Sequence, residues 1–162
     1  MIVFAPSAFA KKGTQPVGVA RQWSGRQGQV DHCQVGICQV GIYRGSVSRL
    51  EHALVNTRLY LPKEWTKDQA RMKKAGVPKG TKYRTRHKLA LGMLDQHGAK
   101  LPHRWIAGDD EMGRPYWFRR DLQQLGEQYL LAVPSNTLIR DLEVVRIQLC
   151  TSTVLDPSFL HV

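Results

Sequence analysis

Apolar positions along this chain recur with two spacings, every second residue and every third or fourth, and the places where one gives way to the other outline a mixed α/β architecture. Ile2 to Ala5 is an apolar run that reads as a buried strand beginning at or before the first residue. Lys11-Lys12-Gly13 opens a polar loop through Gln29, in which Val17-Gly18-Val19-Ala20 and Trp23 are the apolar anchors. Cys33-Gln34-Val35-Gly36-Ile37 is then repeated at once as Cys38-Gln39-Val40-Gly41-Ile42, and the β-prone residues with Tyr43 predict a strand. The repeat has odd length, so equivalent side chains of its two copies point to opposite faces. Only one copy can match an amphipathic register, and the other is surplus. From Ala53 to Leu61 a further strand is expected, with Val55, Thr57, Leu59 and Leu61 on one face and Asn56, Arg58 and Tyr60 on the other. Arg44-Gly45-Ser46 reads as the hairpin connection between the two.

Helical spacing takes over after Pro62. Thr66 with Gln69 forms a capping box for a short, polar, peripheral helix that closes before Gly76 and Pro78. Between Arg86 and His97 the apolar positions Ala90, Met93 and Leu94 predict an amphipathic helix, with His97 at its cation-favouring end and Gly98 as a left-handed stop. Trp105-Ile106-Ala107 returns to strand character and runs through Gly108 into three successive acids, Asp109, Asp110 and Glu111. Pro115 then sits at a first-turn position before a helix with Phe118, Leu122 and Leu125 on its apolar face, Arg119 and Arg120 on the other, and Gly126 at its end. Tyr129 to Val133 reads as a buried strand ended by Pro134, with Ser135-Asn136-Thr137 as its exit loop. Leu142 to Leu149 has strand character, and the final residues have none.

A chain of 162 residues can bury a core as a single domain. Lysine and arginine number 24 against 13 acids, a formal net charge of +11, so the natural partner is a polyanion. The basic residues are spread along the chain, which suits a phosphate backbone better than a compact pocket. Lys11, Lys12, Arg21 and Arg26 of the polar loop are the candidate DNA contacts, the alternative being a solvated turn. Three cysteines make no paired framework and read as cytosolic thiols. His32, Cys33, Cys38 and His52 are excluded as a zinc set, because Cys33 and Cys38 face opposite sides of one regular strand. The apolar opening has no preceding positive charge and is interrupted by Pro6, so it is not read as a secretory signal, and no stretch is long enough to span a bilayer. The expected location is cytoplasmic, with no membrane partner and no small-molecule substrate.

The three acids are the candidate chemistry. Carboxylates at the carboxyl end of a buried strand stand at the rim where α/β sheets build their sites, and there one of these acids is a candidate ligand for a divalent cation. The alternative, for all three, is an acidic first turn that complements the dipole of the helix that follows. Strand, two meander strands, helices, strand with acids at its end, helix, strand: this order suits a mixed sheet of the ribonuclease H type with flanking helices. Two-metal phosphodiester chemistry on such a sheet requires carboxylates from separate strands around cations about 4 Å apart.

Six segments taken together resemble bacterial insertion-sequence transposases of the DDE superfamily endonuclease group. They are Phe9 to Gly13, Val17 to Trp23, Cys33 to Gly36, Arg58 to Trp65, Gly108 to Gly113 and Leu131 to Thr137, and the likeness extends to about Asp141. The resemblance implies a ribonuclease H-like fold and three acids that bind Mg2+ or Mn2+ for nicking and strand transfer of DNA in the bacterial nucleoid. It maps the second of those acids onto Asp109, the candidate metal ligand, and leaves Asp110 and Glu111 as helix-start acids. It also places the first acid where this chain has Ala5 and Pro6, neither of which ligates a cation. The third, a glutamate, lies beyond the Pro134-Ser135-Asn136 loop, where this chain diverges after Glu143 without a matching residue. The second Cys-Gln-Val-Gly-Ile copy is a further departure. The expectation is a remnant of a DDE-type transposase, incomplete at both ends: a partial catalytic core over 1–143, a divergent tail over 144–162, and no strand transfer by itself. The competing expectation is a non-catalytic basic DNA-binding or regulatory module, which would pair with an intact transposase.

Overall fold

A computed structural model describes residues 1–13, 15–22 and 36–138, apart from the side chains of Ile37 and Ala99. The sheet is built from β1 (Ile2–Ala10), β2 (Ala20–Gln22), β3 (Gly36–Val47), β4 (His52–Leu59), β5 (Ile106–Gly108) and β6 (Tyr129–Leu131). Its path is β2-β3-β1-β5-β6, and β4 pairs with β3 beside β2. β1, β3 and β4 are antiparallel neighbours, whereas β5 runs parallel to β1 and β6 parallel to β5. An antiparallel meander continued by parallel strands on the far side of β1 is the ribonuclease H-like arrangement, with β2 as an addition at the rim.

β1 is longer than the expected run to Ala5, because it continues through Pro6 to Ala10 and pairs with β3 over its whole length. The direction of its amides explains how. The amide of Ile2 donates to Trp105 O at 2.8 Å, toward β5, whereas Met1 and Val47 exchange bonds on the β3 side. Residue 6 shares the parity of residue 2, so the missing N–H of Pro6 faces away from β3 and removes no bond from that ladder.

One face of the sheet carries the core. Ile2 and Phe4 of β1, Cys38, Val40 and Ile42 of β3 and Ile106 of β5 are all buried there. The second repeat copy therefore holds the amphipathic register; Gly36 and Ile37 continue the strand, and Cys33–Val35 lie outside the described residues, as do His32 and Trp23. Against this face packs α3 (Arg86–His97), which follows α1 (Lys63–Lys67) and α2 (Gln69–Lys74) in the chain. Thr85 caps α3 by accepting from the Lys88 amide at 3.2 Å, and Ala90, Met93 and Leu94 fill its inner side as its spacing predicts. α4 (Asp110–Gly113) and α5 (Tyr116–Gln124) join the same core, contributing Met112, Phe118 and Leu122.

Several local expectations are corrected. Arg44–Ser46 is strand, and the hairpin turns at Ser48, whose hydroxyl accepts from the amides of Leu50 and Glu51. β4 is an exposed edge with a bulge opposite Arg44 and Gly45, which breaks the strict alternation of its faces. Asp68, not a Thr66–Gln69 box, caps α2 by accepting from Arg71 N at 2.8 Å. The helix pair is also less peripheral than its polarity suggests. Trp65 is wholly buried, its indole N–H donates to Val19 O at 2.7 Å, and the Arg71 guanidinium lies 3.8 Å from its ring centre. Gly98 is right-handed and leads into a 3-10 turn; it is favoured by space, since an added Cβ would lie 3.1 Å from Leu94 Cδ1. Leu125 is exposed beyond the end of α5, and β6 is only half-buried, with Leu130 facing outward. Leu142–Leu149 and the tail lie outside the described residues.

Candidate active-site cleft

The parallel β1–β5 ladder ends at Phe4 and Gly108, and the chain leaves β5 directly into α4. Glycine is required at this bend, because a Cβ on Gly108 would stand 2.9 Å from Met112 Cβ and 3.0 Å from Leu131 Cδ2. Asp109 is the N-cap of α4: its Oδ1 accepts from the Met112 amide at 3.1 Å. Asp110 and Glu111 occupy the first turn, as expected of helix-start acids.

A cleft of about 910 Å³ opens here, walled by Ala5–Ala8 of β1 on one side and Asp109–Glu111 on the other. Arg86 and His87, at the start of α3, and Arg114 complete its rim. Each acid has a cationic or amide partner. Glu111 forms a hydrogen-bonded ion pair with Arg86, Asp110 lies 3.7 Å from Arg114 in an exposed pair, and Asp109 is held by its capping bond. His87 Nε2 is 2.8 Å from Glu111 O, and its ring meets the edges of Trp117 and Phe118 at 5.5 and 5.2 Å. Asp109 is exposed as a residue, yet its carboxyl is partly desolvated against the cleft wall. That burial raises its pKa above the ordinary aspartate value; Glu111 and Asp110 add to the rise, and the Met112 N–H opposes it.

Arg86, His87 and Arg114 were not singled out by sequence reasoning. Arg86 meets an acid 25 positions away, so only the topology brings the pair together. Of the expected DNA contacts, Lys11 and Lys12 follow β1 and Arg21 lies on β2, all exposed. Ala10 and Ala20 both pair with Cys38, from opposite edges of β3, so these three cations share one end of the sheet, the end toward which β1 and β5 run. Arg26 lies outside the described residues.

A protein-family model described as DDE superfamily endonuclease matches residues 2–148. The chain belongs to that family. No curated protein and no solved structure gives a significant match. A transposase-like nuclease family generally uses divalent metals and acts on DNA, and this sets the question the cleft must answer. The donor set of the DDE endonuclease cleft does not fit a pair of divalent cations. On the β1 wall opposite Asp109, Ala5 and Pro6 have no side-chain ligand atom and Ser7 offers only a neutral hydroxyl, so this wall supplies no carboxylate. Arginines already neutralise Asp110 and Glu111. Among the described residues no three His, Cys, Asp or Glu side chains gather as a metal set. No described helix is long and apolar enough to cross a membrane.

Proposed function

We propose that this DDE endonuclease is a transposase remnant that binds DNA without nicking it or transferring strands by itself. The reading is carried by one observation: the β1 wall facing Asp109 is Ala5 and Pro6, where two-metal chemistry requires a second carboxylate. In this reading Asp109 keeps the strand-end position of one catalytic acid and serves here as the cap of α4. The excess of 24 basic over 13 acidic residues supplies the affinity for DNA, with Lys11, Lys12 and Arg21 at the cleft end of the sheet.

Supercoiled plasmid incubated with the protein and Mg2+ or Mn2+ tests the chemistry. The expected result is no nicking above background, unchanged by Asp109→Asn. Metal-dependent nicking that Asp109→Asn abolishes would overturn the proposal. Fluorescence anisotropy with a labelled duplex tests the binding: affinity should fall steeply as salt rises, because phosphate contacts release condensed counterions. Salt-independent binding would reject the electrostatic part of the reading.

A further inference from the structure

A second concavity has Tyr83, a ring partner of Tyr60, in its wall. Its volume is about 900 Å³, and its walls are the end of β4, the loop at 80–84 and the beginning of α3. Arg58, Lys82, Arg84 and Lys88 line it, and no acid does. Lys82, Arg84 and Lys88 are exposed and form no ion pair among the described residues, while Arg58 bonds the neutral Gln96 amide oxygen at 2.6 Å. Arg58 is also a wall of an adjoining hollow of about 430 Å³ that holds Arg44 and Lys100, again without an acid.

Arg44 is the unusual member. It projects from β3 into the core face at 1% exposure, donates from Nη1 to Met93 O, and leaves Nε without a partner. Burial, and after it the charge of Arg58, lowers its pKa. A buried guanidinium with no carboxylate is costly, and a nearby anion would offset its charge. The two hollows thus form one track of like charge whose self-repulsion is relieved by a bound polyanion. The track also meets the cleft. Tyr83, on the groove wall, contacts the Tyr60 ring edge-on at 6.3 Å, and Arg86, on the cleft rim, lies 5.0 Å from the same ring.

We propose that this track seats the sugar–phosphate backbone of duplex DNA and leads it past Tyr60 toward the Asp109 cleft. The assignment rests on the DNA-binding reading above and gives it a location that neither the loop lysines nor the acidic tripeptide indicates. Successive cations along one face, carried on a strand end, a loop and a helix start, match a backbone that offers a phosphate at regular intervals.

The test is anisotropy with a labelled duplex over a salt series, comparing Lys82→Glu/Arg84→Glu/Lys88→Glu with Lys67→Glu/Lys73→Glu/Lys74→Glu. The second triple changes net charge equally but sits on α1 and α2. The track variant should bind tenfold or more weakly, and its log–log salt slope should become shallower by about 2 to 3, roughly 0.9 for each phosphate that is no longer neutralised. The helix variant should be weakened much less. Equal weakening in the two triples, or none in either, would overturn the track while leaving DNA binding itself intact; failure of the unaltered chain to bind DNA overturns both readings. Tighter binding of an RNA duplex of the same sequence would overturn the assignment to DNA. A readout that needs no variant is acetylation of the unaltered chain: DNA should protect Lys82 and Lys88 but not Lys73 and Lys74, and uniform reactivity with DNA bound would also reject the track.

Discussion

Ala5 stands beside Asp109 at the mouth of the cleft, because Phe4 pairs with Gly108 in the parallel β1–β5 ladder and each is one residue short of that position. A carboxylate on β1 here would face Asp109 across the strand ends, and because Ala5 and Pro6 point to opposite faces, substituting both covers either direction. Ala5→Asp/Pro6→Asp should therefore create a cation site. Without metal the variant should melt lower than the parent, through repulsion among carboxylates. With Mn2+ at about 100 times its Kd, it should regain on the order of 2–3 kcal/mol. The parent should show no such shift, and a double variant whose melting ignores Mn2+ would mean that the strand ends are not within ligating reach.

Tyr60 gives a prediction about pH. Burial, reinforced by the hydrogen bond and charge of Tyr83, pushes its hydroxyl from 10.0 up to about 12. The folded chain thus keeps a proton that the unfolded chain releases in that interval. This contribution to stability is fully present below pH 10 and is lost as pH rises toward 12. Denaturant midpoints measured across that window should fall less steeply for Tyr60→Phe than for the parent. Equal slopes would show that Tyr60 titrates normally.

Gly113 sits where α4 meets the chain leaving β6. A Cβ there would stand 1.8 Å from Ala132 O and 3.1 Å from Leu131 Cβ, with backbone on one side of the clash. Gly113→Ala should cost about 2–3 kcal/mol by forcing the α4 segment away from β6. Gly126→Ala offers the contrast. Its φ is +75° with open space around it, so strain alone should cost about 1–2 kcal/mol. Urea unfolding of the pair measures both; a Gly113→Ala loss below that of Gly126→Ala would contradict the close contact.

Trp65 ties α1 to the segment before β2 through Val19 O. Trp65→Phe keeps most of the buried ring but strands that carbonyl, at about 1–2 kcal/mol. Trp65→Ala adds a cavity and should cost about 3–5 kcal/mol. Hydrogen exchange at the Val19 amide, which donates to Pro16 O at 3.2 Å, should quicken in both if the indole anchors this turn.

The parts of this protein that periodicity governs were legible before the structure. The inner side of α3 and the strand ending at Gly108 follow from side chains that repeat with the backbone, and the tandem repeat showed that one copy alone holds the register without saying which. Where a single contact decides, periodicity is silent. Trp65 is buried within a polar helix by one indole bond, Asp68 displaces Thr66 as a cap, and Leu125 falls one step beyond the helix that would have buried it. Asp109 could be placed at a strand end because the switch from strand to helix is written locally. The Arg86–Glu111 pair and the grouping of Arg44, Arg58 and Lys88 could not, since the first forms only when α3 meets α4 and the second only when the meander and α3 are folded against each other. The excess of basic residues was plain from the sequence, but charge alone does not say which of them share a groove.

β1 outlasts β5, and this sets the evolutionary latitude of the cleft. Past Phe4 the edge that β5 abandons asks nothing of β1, so position 6 can carry proline or an acid without a change in the β1–β3 ladder. Chemistry at that step is separable from architecture. A lineage can give up the carboxylate, or recover it by substitution at a strand end, while the sheet, the core and the basic face persist unaltered for selection to use.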